Sequence, residues 1–399
     1  MRRRSLFALL PALLGASCVT APRVEAPTAA LSPTLPGFDT PVRADPMNRA
    51  AYQAYVSAWG GRAAAAVTDG SFDVLSISGG GAGGTYGAGV LVGMTEAHTR
   101  PQFEIVTGVS TGALIAPIAF LGSDHDELLA EGSEGVGQLT RPIGLGALFR
   151  IGIFDGRRLR NLVDRFMTDD IIDAVARASE TGRLLVITTT DLDRGETVIW
   201  NMSAIAAQGG ANGHRLFREV VLASASIPGL FPPVMIEIQD GERAFAEMHV
   251  DGGASLPFFV SPDLVTTSAA PAILHGANIY VIDNGQLAFT SRTTPMNTSA
   301  IASRAFATVL MHYSRTSLEE TDAFARRNGM HLRFTAIPPE YPYAGPLGFD
   351  RSSMSALFQY GRRCASESHI WLDLHAAIAR AQLTTPPATT PDAAPCPTD

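Results

Sequence analysis

Charge is sparse in this chain. Asp, Glu, Lys and Arg make up 17% of its 399 residues, and the formal net charge is −8. A mildly acidic balance argues against nucleic acid as a partner, because binding a phosphate backbone needs a basic face. Cysteine is scarcer still, at three residues, and no His/Cys/Asp cluster has the spacing of metal ligands. No internal repeat is present, and no apolar run is long enough to span a bilayer. What is there is a hydrophobic content of 46%, which places the chain among globular proteins rather than disordered ones. The length suffices for one large α/β domain or two smaller ones.

The N-terminus reads as a targeting segment. Arg2, Arg3 and Arg4 form a basic start, Leu6 to Leu14 is a short apolar stretch, and Gly15-Ala16-Ser17-Cys18 follows. Small residues before a cysteine resemble a bacterial lipobox, whose cysteine becomes acylated, although Gly15 stands where leucine is usual. An ordinary signal peptide cut nearby is the alternative. Either way residues 1–18 fall outside the fold. The chain is expected to cross the bacterial inner membrane, as a membrane-anchored lipoprotein or else as a periplasmic or secreted protein. Residues 19–46 are rich in Pro, Ala and Thr and read as an extended tether. Residues 47–383 read as the globular domain, and residues 384–399 as a disordered tail. If Cys18 is acylated, Cys364 and Cys396 remain, as a disulfide pinning the tail or as two free thiols.

Three stretches carry chemistry. The β-prone run Phe103 to Thr107 feeds Gly108-Val109-Ser110-Thr111-Gly112, and an apolar, Ala-rich run that reads as a buried helix follows. This is the pattern of a nucleophile elbow, a tight strand-to-helix turn whose glycines let neighbouring backbone pass. It sets Ser110 at a helix N-terminus, where free N–H groups favour an anionic oxygen. Upstream, the strand Asp73 to Ser78 runs into Gly79-Gly80-Gly81-Ala82-Gly83-Gly84. Glycines so spaced after a strand also occur in dinucleotide sites, which need an acidic residue at a strand end about 20 positions on. Glu96 is near that spacing but lies in a helical run, Val90 to His98. The loop therefore reads as an oxyanion hole, with the N–H groups of Gly79, Gly80 and Gly81 aimed at a substrate carbonyl oxygen. Downstream lies Asp251-Gly252-Gly253.

Gly79-x-Gly81-x-x-Gly84, Gly108-x-Ser110-x-Gly112 and Asp251-Gly252-Gly253, in that order, resemble the three signature blocks of the patatin-like phospholipases. Ala223 to Pro233 resembles that family's Ser-x-Pro-x-x-Phe-Pro-Pro segment. The resemblance covers about residues 72–284. It implies a three-layer patatin-like architecture. It also implies hydrolysis of phospholipids, lysophospholipids or related acyl esters through an acyl-enzyme, with no metal or other cofactor. Ser110 would be the nucleophile and Asp251 the general base of a dyad without histidine, while Gly84, Gly108, Gly112, Gly252 and Gly253 shape the turns. Membrane lipids would be the substrates, and a lipidated N-terminus would supply membrane association. One departure stands out: Gly83 occupies a position where the family often carries Arg or Lys. Two other readings remain. One is a Ser-His-Asp hydrolase of the α/β-hydrolase type, with Ser110, Asp251 and a later histidine such as His275. The other is a lipoprotein that binds lipid or a partner without turnover.

Elsewhere Leu184 to Thr190 and Ala277 to Asp283 read as buried parallel strands, with Glu196 to Trp200 as a hairpin strand and His331 to Ile337 as a further strand. Helices are expected over Met47 to Ala66, Glu219 to Ala225 and Ser303 to Asn328, with one or two more within Ser352 to Gln382. Leu121 to Arg150 reads as a cap or acyl-facing insertion. Strands alternating with helices predict an α/β fold with a mainly parallel central sheet flanked by helices on both faces.

Overall fold

The computed structural model describes residues 34–44, 49–135, 154–240, 243–258, 275–288, 293–367, 370–381 and 387–397. Its first half runs β1 (Arg43–Ala44), α1 (Arg49–Ala65), β2 (Asp73–Ile77), α2 (Gly84–Glu96), β3 (Ile105–Gly108), α3 (Thr111–Leu121), α4 (Asp126–Gly135), α5 (Gly156–Phe166) and α6 (Asp169–Ser179). There follow β4 (Leu184–Asp191), β5 (Glu196–Asn201), α7 (Met202–Gln208), α8 (Gly210–Ser224), β6 (Val234–Asp240) and β7 (Arg243–Asp251). The chain closes with β8 (Asn278–Asp283), α9 (Thr298–Arg327), β9 (His331–Ala336), α10 (Arg351–Ser366) and α11 (Leu374–Ala381).

The sheet has the order β1-β5-β4-β3-β2-β8-β9. Strands β4, β3, β2, β8 and β9 are mutually parallel, and β5 and β1 continue antiparallel at one edge. Strands β2, β3 and β4 are buried along their whole length, because side chains alternate between two covered faces. Leu75, Ile77, Leu185 and Ile187 point into a core shared with α2, α3, α8 and α10. Their neighbours Val74, Leu184 and Val186 point into a second core beneath α1, α9 and α11. Burial on both faces makes this a three-layer α/β fold, as the strand–helix alternation predicts. Several helices start at side chains that accept a first-turn N–H: Asp155, Thr168, Asn201, Asn297 and Asp350.

Two composition-based expectations are corrected. Residues 34–44 are not a free tether. Thr34 bridges Gln239, β1 pairs with β5, and Val42 and Ala44 are buried. The tail is likewise ordered over residues 387–397. Cys364 and Cys396 form a disulfide, Tyr360 Oη donates to Pro395 O, and Arg363 donates to Ala394 O. Proline suppresses regular pairing, but a covalent link and side-chain donors hold such a segment without it. Cys18 and the rest of residues 1–33 lie outside the described residues, as do residues 136–150 of the expected cap; its first part is α4.

Candidate active site

Strand register brings the site together. Gly108 of β3 is level with Ile187 of β4. Ser110 lies two residues past that strand end, and on β4 Thr189, two residues past Ile187, pairs with Asp251 on the antiparallel strand β7. The β6–β7 hairpin, which the sequence reading did not anticipate, thus delivers Asp251 to the end of β4 where the elbow emerges.

Ser110 has φ 56° and ψ −121°, a conformation that costs an L-residue of order 1–3 kcal/mol and persists only where its surroundings enforce it. Its N–H donates to Ser224 Oγ at 3.0 Å. Its hydroxyl donates to Asp251 Oδ2 at 2.5 Å. Asp251 is held at every polar atom but that one: its N–H reaches Ser226 O, its carbonyl accepts from Thr190 Oγ1, and its Oδ1 accepts from Gly253 N–H at 2.7 Å. Ser110 is 6% exposed and Asp251 4%. Burial lifts the Asp251 pKa from 3.8 to about 7, against the opposing pull of hydrogen bonds from Ser110 and Gly253. A carboxyl poised near neutrality beside a hydroxyl can take a proton from it.

The glycine loop supplies fewer donors than expected. Gly79 N–H is committed to Pro257 O at 3.0 Å, and Ala82 N–H to Pro346 O at 2.9 Å. Among the described residues Gly80 and Gly81 have no partner for their N–H groups, so of the three expected donors these two are free and Gly79 is engaged. Their φ values of 152° and 55° suit glycine alone. A side chain on Gly83 has no room: its Cβ would lie 1.9 Å from Asn284 O and 2.6 Å from Tyr343 Oη. A cation at this position is incompatible with the loop as folded here, which accounts for the departure noted in the sequence. Asn284 braces the loop by donating to Ser78 O and accepting from Gly87 N–H, and Tyr343 Oη donates to Gly80 O. Neither was singled out from sequence; the Asn284-Gly285 turn at a strand end was the only signal.

Among the described residues no histidine joins the pair. His275 precedes β8, its ring beside Gly329, at the end of the sheet opposite Ser110. The expected order Ser110, Asp251, His275 is therefore not a triad. His249, two residues before Asp251, is occupied elsewhere, with Nδ1 on Thr189 Oγ1 and Nε2 on Glu247. Burial would raise the Glu247 pKa, yet its hydrogen bond with His249 and the charge of Arg43 hold it at about 2.

Ser110 opens on two cavities. One, of about 220 Å³, is lined by Gly80, Gly81, Asp251 and, from α9, Phe306, Leu310 and Met311. The other, of about 100 Å³, lies between α3, α4 and α5 and is lined by Leu114, Ile118, Leu129, Leu159, Leu162 and Phe166. Among the described residues no histidine lines either one.

An elbow serine at the end of a parallel strand, hydrogen-bonded to a carboxylate and sharing a cavity with glycines whose N–H groups are unpaired, is an arrangement suited to acyl transfer. Residues 75–262 match the patatin-like phospholipase family, and the chain carries a patatin-like phospholipase domain. That is a family of lipid acyl hydrolases. No curated protein matches the chain. Among solved structures, VipD from Legionella pneumophila aligns over 75% of this chain and 67% of that one, with 15% identity and a TM-score of 0.39.

Proposed function

We propose that the protein hydrolyses acyl esters of membrane lipids through a Ser110–Asp251 dyad. The observation that carries this reading is the 2.5 Å hydrogen bond from Ser110 Oγ to a buried Asp251 carboxylate at a strained elbow. Ser110 Oγ attacks the ester carbonyl carbon as its proton passes to Asp251. The N–H groups of Gly80 and Gly81 receive the oxyanion. Collapse of the tetrahedral intermediate breaks the C–O bond, and the proton on Asp251 goes to the departing alcohol. Water then attacks the Ser110 ester, giving its proton to Asp251, and the fatty acid leaves as Ser110 regains a proton. The apolar cavity between α3, α4 and α5 suits the acyl chain. In this reading Cys18 is the lipidated residue of an exported protein, and the anchor holds the enzyme at a membrane surface.

The test is hydrolysis of a medium-chain p-nitrophenyl ester and a phospholipid with a chelator present. Wild type is expected to be active, and Ser110→Ala and Asp251→Asn to lose at least about 10³-fold in kcat. Full activity in Asp251→Asn would remove the dyad, and a silent wild type on both substrates would favour a binding protein.

A further inference from the structure

A second carboxyl faces the same cavity as the dyad. Asp283 ends β8, beside the end of β2 from which the glycine loop springs. It is 3% exposed and lines the cavity with Ser110 and Asp251. Its Oδ1 is used structurally, accepting from Gly285 N–H at 2.8 Å and from Ser78 Oγ at 3.3 Å. Its Oδ2, equally buried, has no hydrogen-bond partner. A buried polar atom left unpaired is costly, and here the space it borders is where substrate must sit. Among the described residues lining that cavity there is no Arg, Lys or His. Burial raises the Asp283 pKa, against the opposing pull of the nearby Ser314 hydroxyl and of the hydrogen bonds from Gly285 and Ser78. The unpaired oxygen thus borders the cavity that Ser110 also lines, where no cation among the described lining residues is available to a phosphate.

We propose that Asp283 Oδ2 binds a free hydroxyl on the alcohol half of the substrate, so that the site takes fatty-acyl esters of neutral polyols, of the monoacylglycerol kind, with the acyl chain in the other cavity. This rests on the dyad reading above and narrows it. An alcohol without the hydroxyl leaves Oδ2 unpaired, and sites built to hydrogen-bond a hydroxyl discriminate strongly against analogues that lack it.

The experiment compares kcat/KM for a monoacylglycerol, the ethyl ester of the same acid and the lysophospholipid with the same chain. Wild type is expected to prefer the monoacylglycerol to each of the others by at least about tenfold. Asp283→Ala is expected to collapse the preference over the ethyl ester. Asp283→Asn keeps the Oδ1 acceptor and places an N–H donor where Oδ2 was, so it is expected to fold and retain the preference. An unchanged ratio in Asp283→Ala, or its loss in Asp283→Asn, overturns the proposal, as does a lysophospholipid preferred to the monoacylglycerol. A second measurement needs no variant: a non-hydrolysable monoalkylglycerol should inhibit wild type at least about tenfold better than the corresponding alkyl methyl ether, and equal inhibition overturns the proposal. A wild type silent on every ester defeats the dyad reading itself, whereas an active one with a ratio indifferent to Asp283 defeats only this inference.

Discussion

Asp251→Asn should abolish activity and, at high pH only, make the fold more stable. The wild-type carboxyl has a pKa of about 7 in the folded chain against an ordinary 3.8. Such a group favours folding while protonated: its contribution is fully present below 3.8 and is lost as pH rises through about 7. The gap between those two values corresponds to about 4 kcal/mol, the cost that wild type carries at about pH 8 and an amide does not. Asparagine keeps the Oδ1 acceptor for Gly253 N–H, so the hairpin end stays anchored. Denaturant unfolding of both proteins at about pH 4 and about pH 8 isolates this term, since other titrating groups cancel in the difference. The variant should gain up to about 4 kcal/mol relative to wild type between the two conditions. Wild-type kcat/KM on a neutral ester should rise with pH around a midpoint near 7, because only the ionised carboxylate accepts the serine proton. A stability difference equal at both pH values, or activity flat across neutrality, would refute the argument that desolvation tunes this carboxyl.

Ser110→Gly should raise stability by about 1 kcal/mol, read as a higher denaturation midpoint, while removing activity, because glycine adopts the positive φ of the elbow without strain. Reducing the Cys364–Cys396 disulfide, which closes a sequence separation of 32 residues, should cost about 3–4 kcal/mol in denaturant unfolding. Gly83→Arg should destabilise the fold by about 3 kcal/mol and lower ester hydrolysis at least about tenfold, since the new Cβ meets Asn284 O; normal activity in that variant would contradict the geometry of the loop.

The parallel strands and the elbow were readable in the chain because their determinants are local. Leu184 to Thr190 is apolar or β-branched throughout, and both its faces are covered. The glycines around Ser110 are spaced by the turn itself. The β6–β7 hairpin escaped the same reading for a physical reason. β7 buries Glu247 and His249, polar residues that read as surface until their partners are known, and Glu247 pairs with Arg43, which is 204 positions away. Residues 34–44 were misread through the same partner, since Arg43 lies in a Pro- and Ala-rich stretch that signals looseness. The choice of N–H donors in the glycine loop depends on Pro257 and Pro346, whose carbonyls occupy those of Gly79 and Ala82; glycine spacing carries no trace of that. His275 had a suitable place in chain order, but order along a chain says nothing of which end of the sheet a residue occupies.

The braces of the glycine loop have a further consequence. Asn284, Tyr343 and Pro346, which hold the loop beside Ser110, all lie beyond the family match at residues 75–262. Strand β8, which pairs directly with β2, lies beyond it too. The segment that can be recognised by kinship is therefore smaller than the segment that folds. An excised fragment of residues 75–262 would keep both Ser110 and Asp251 yet expose one edge of β2 and release the glycine loop. The smallest autonomous folding unit must run at least through the loop carrying Pro346.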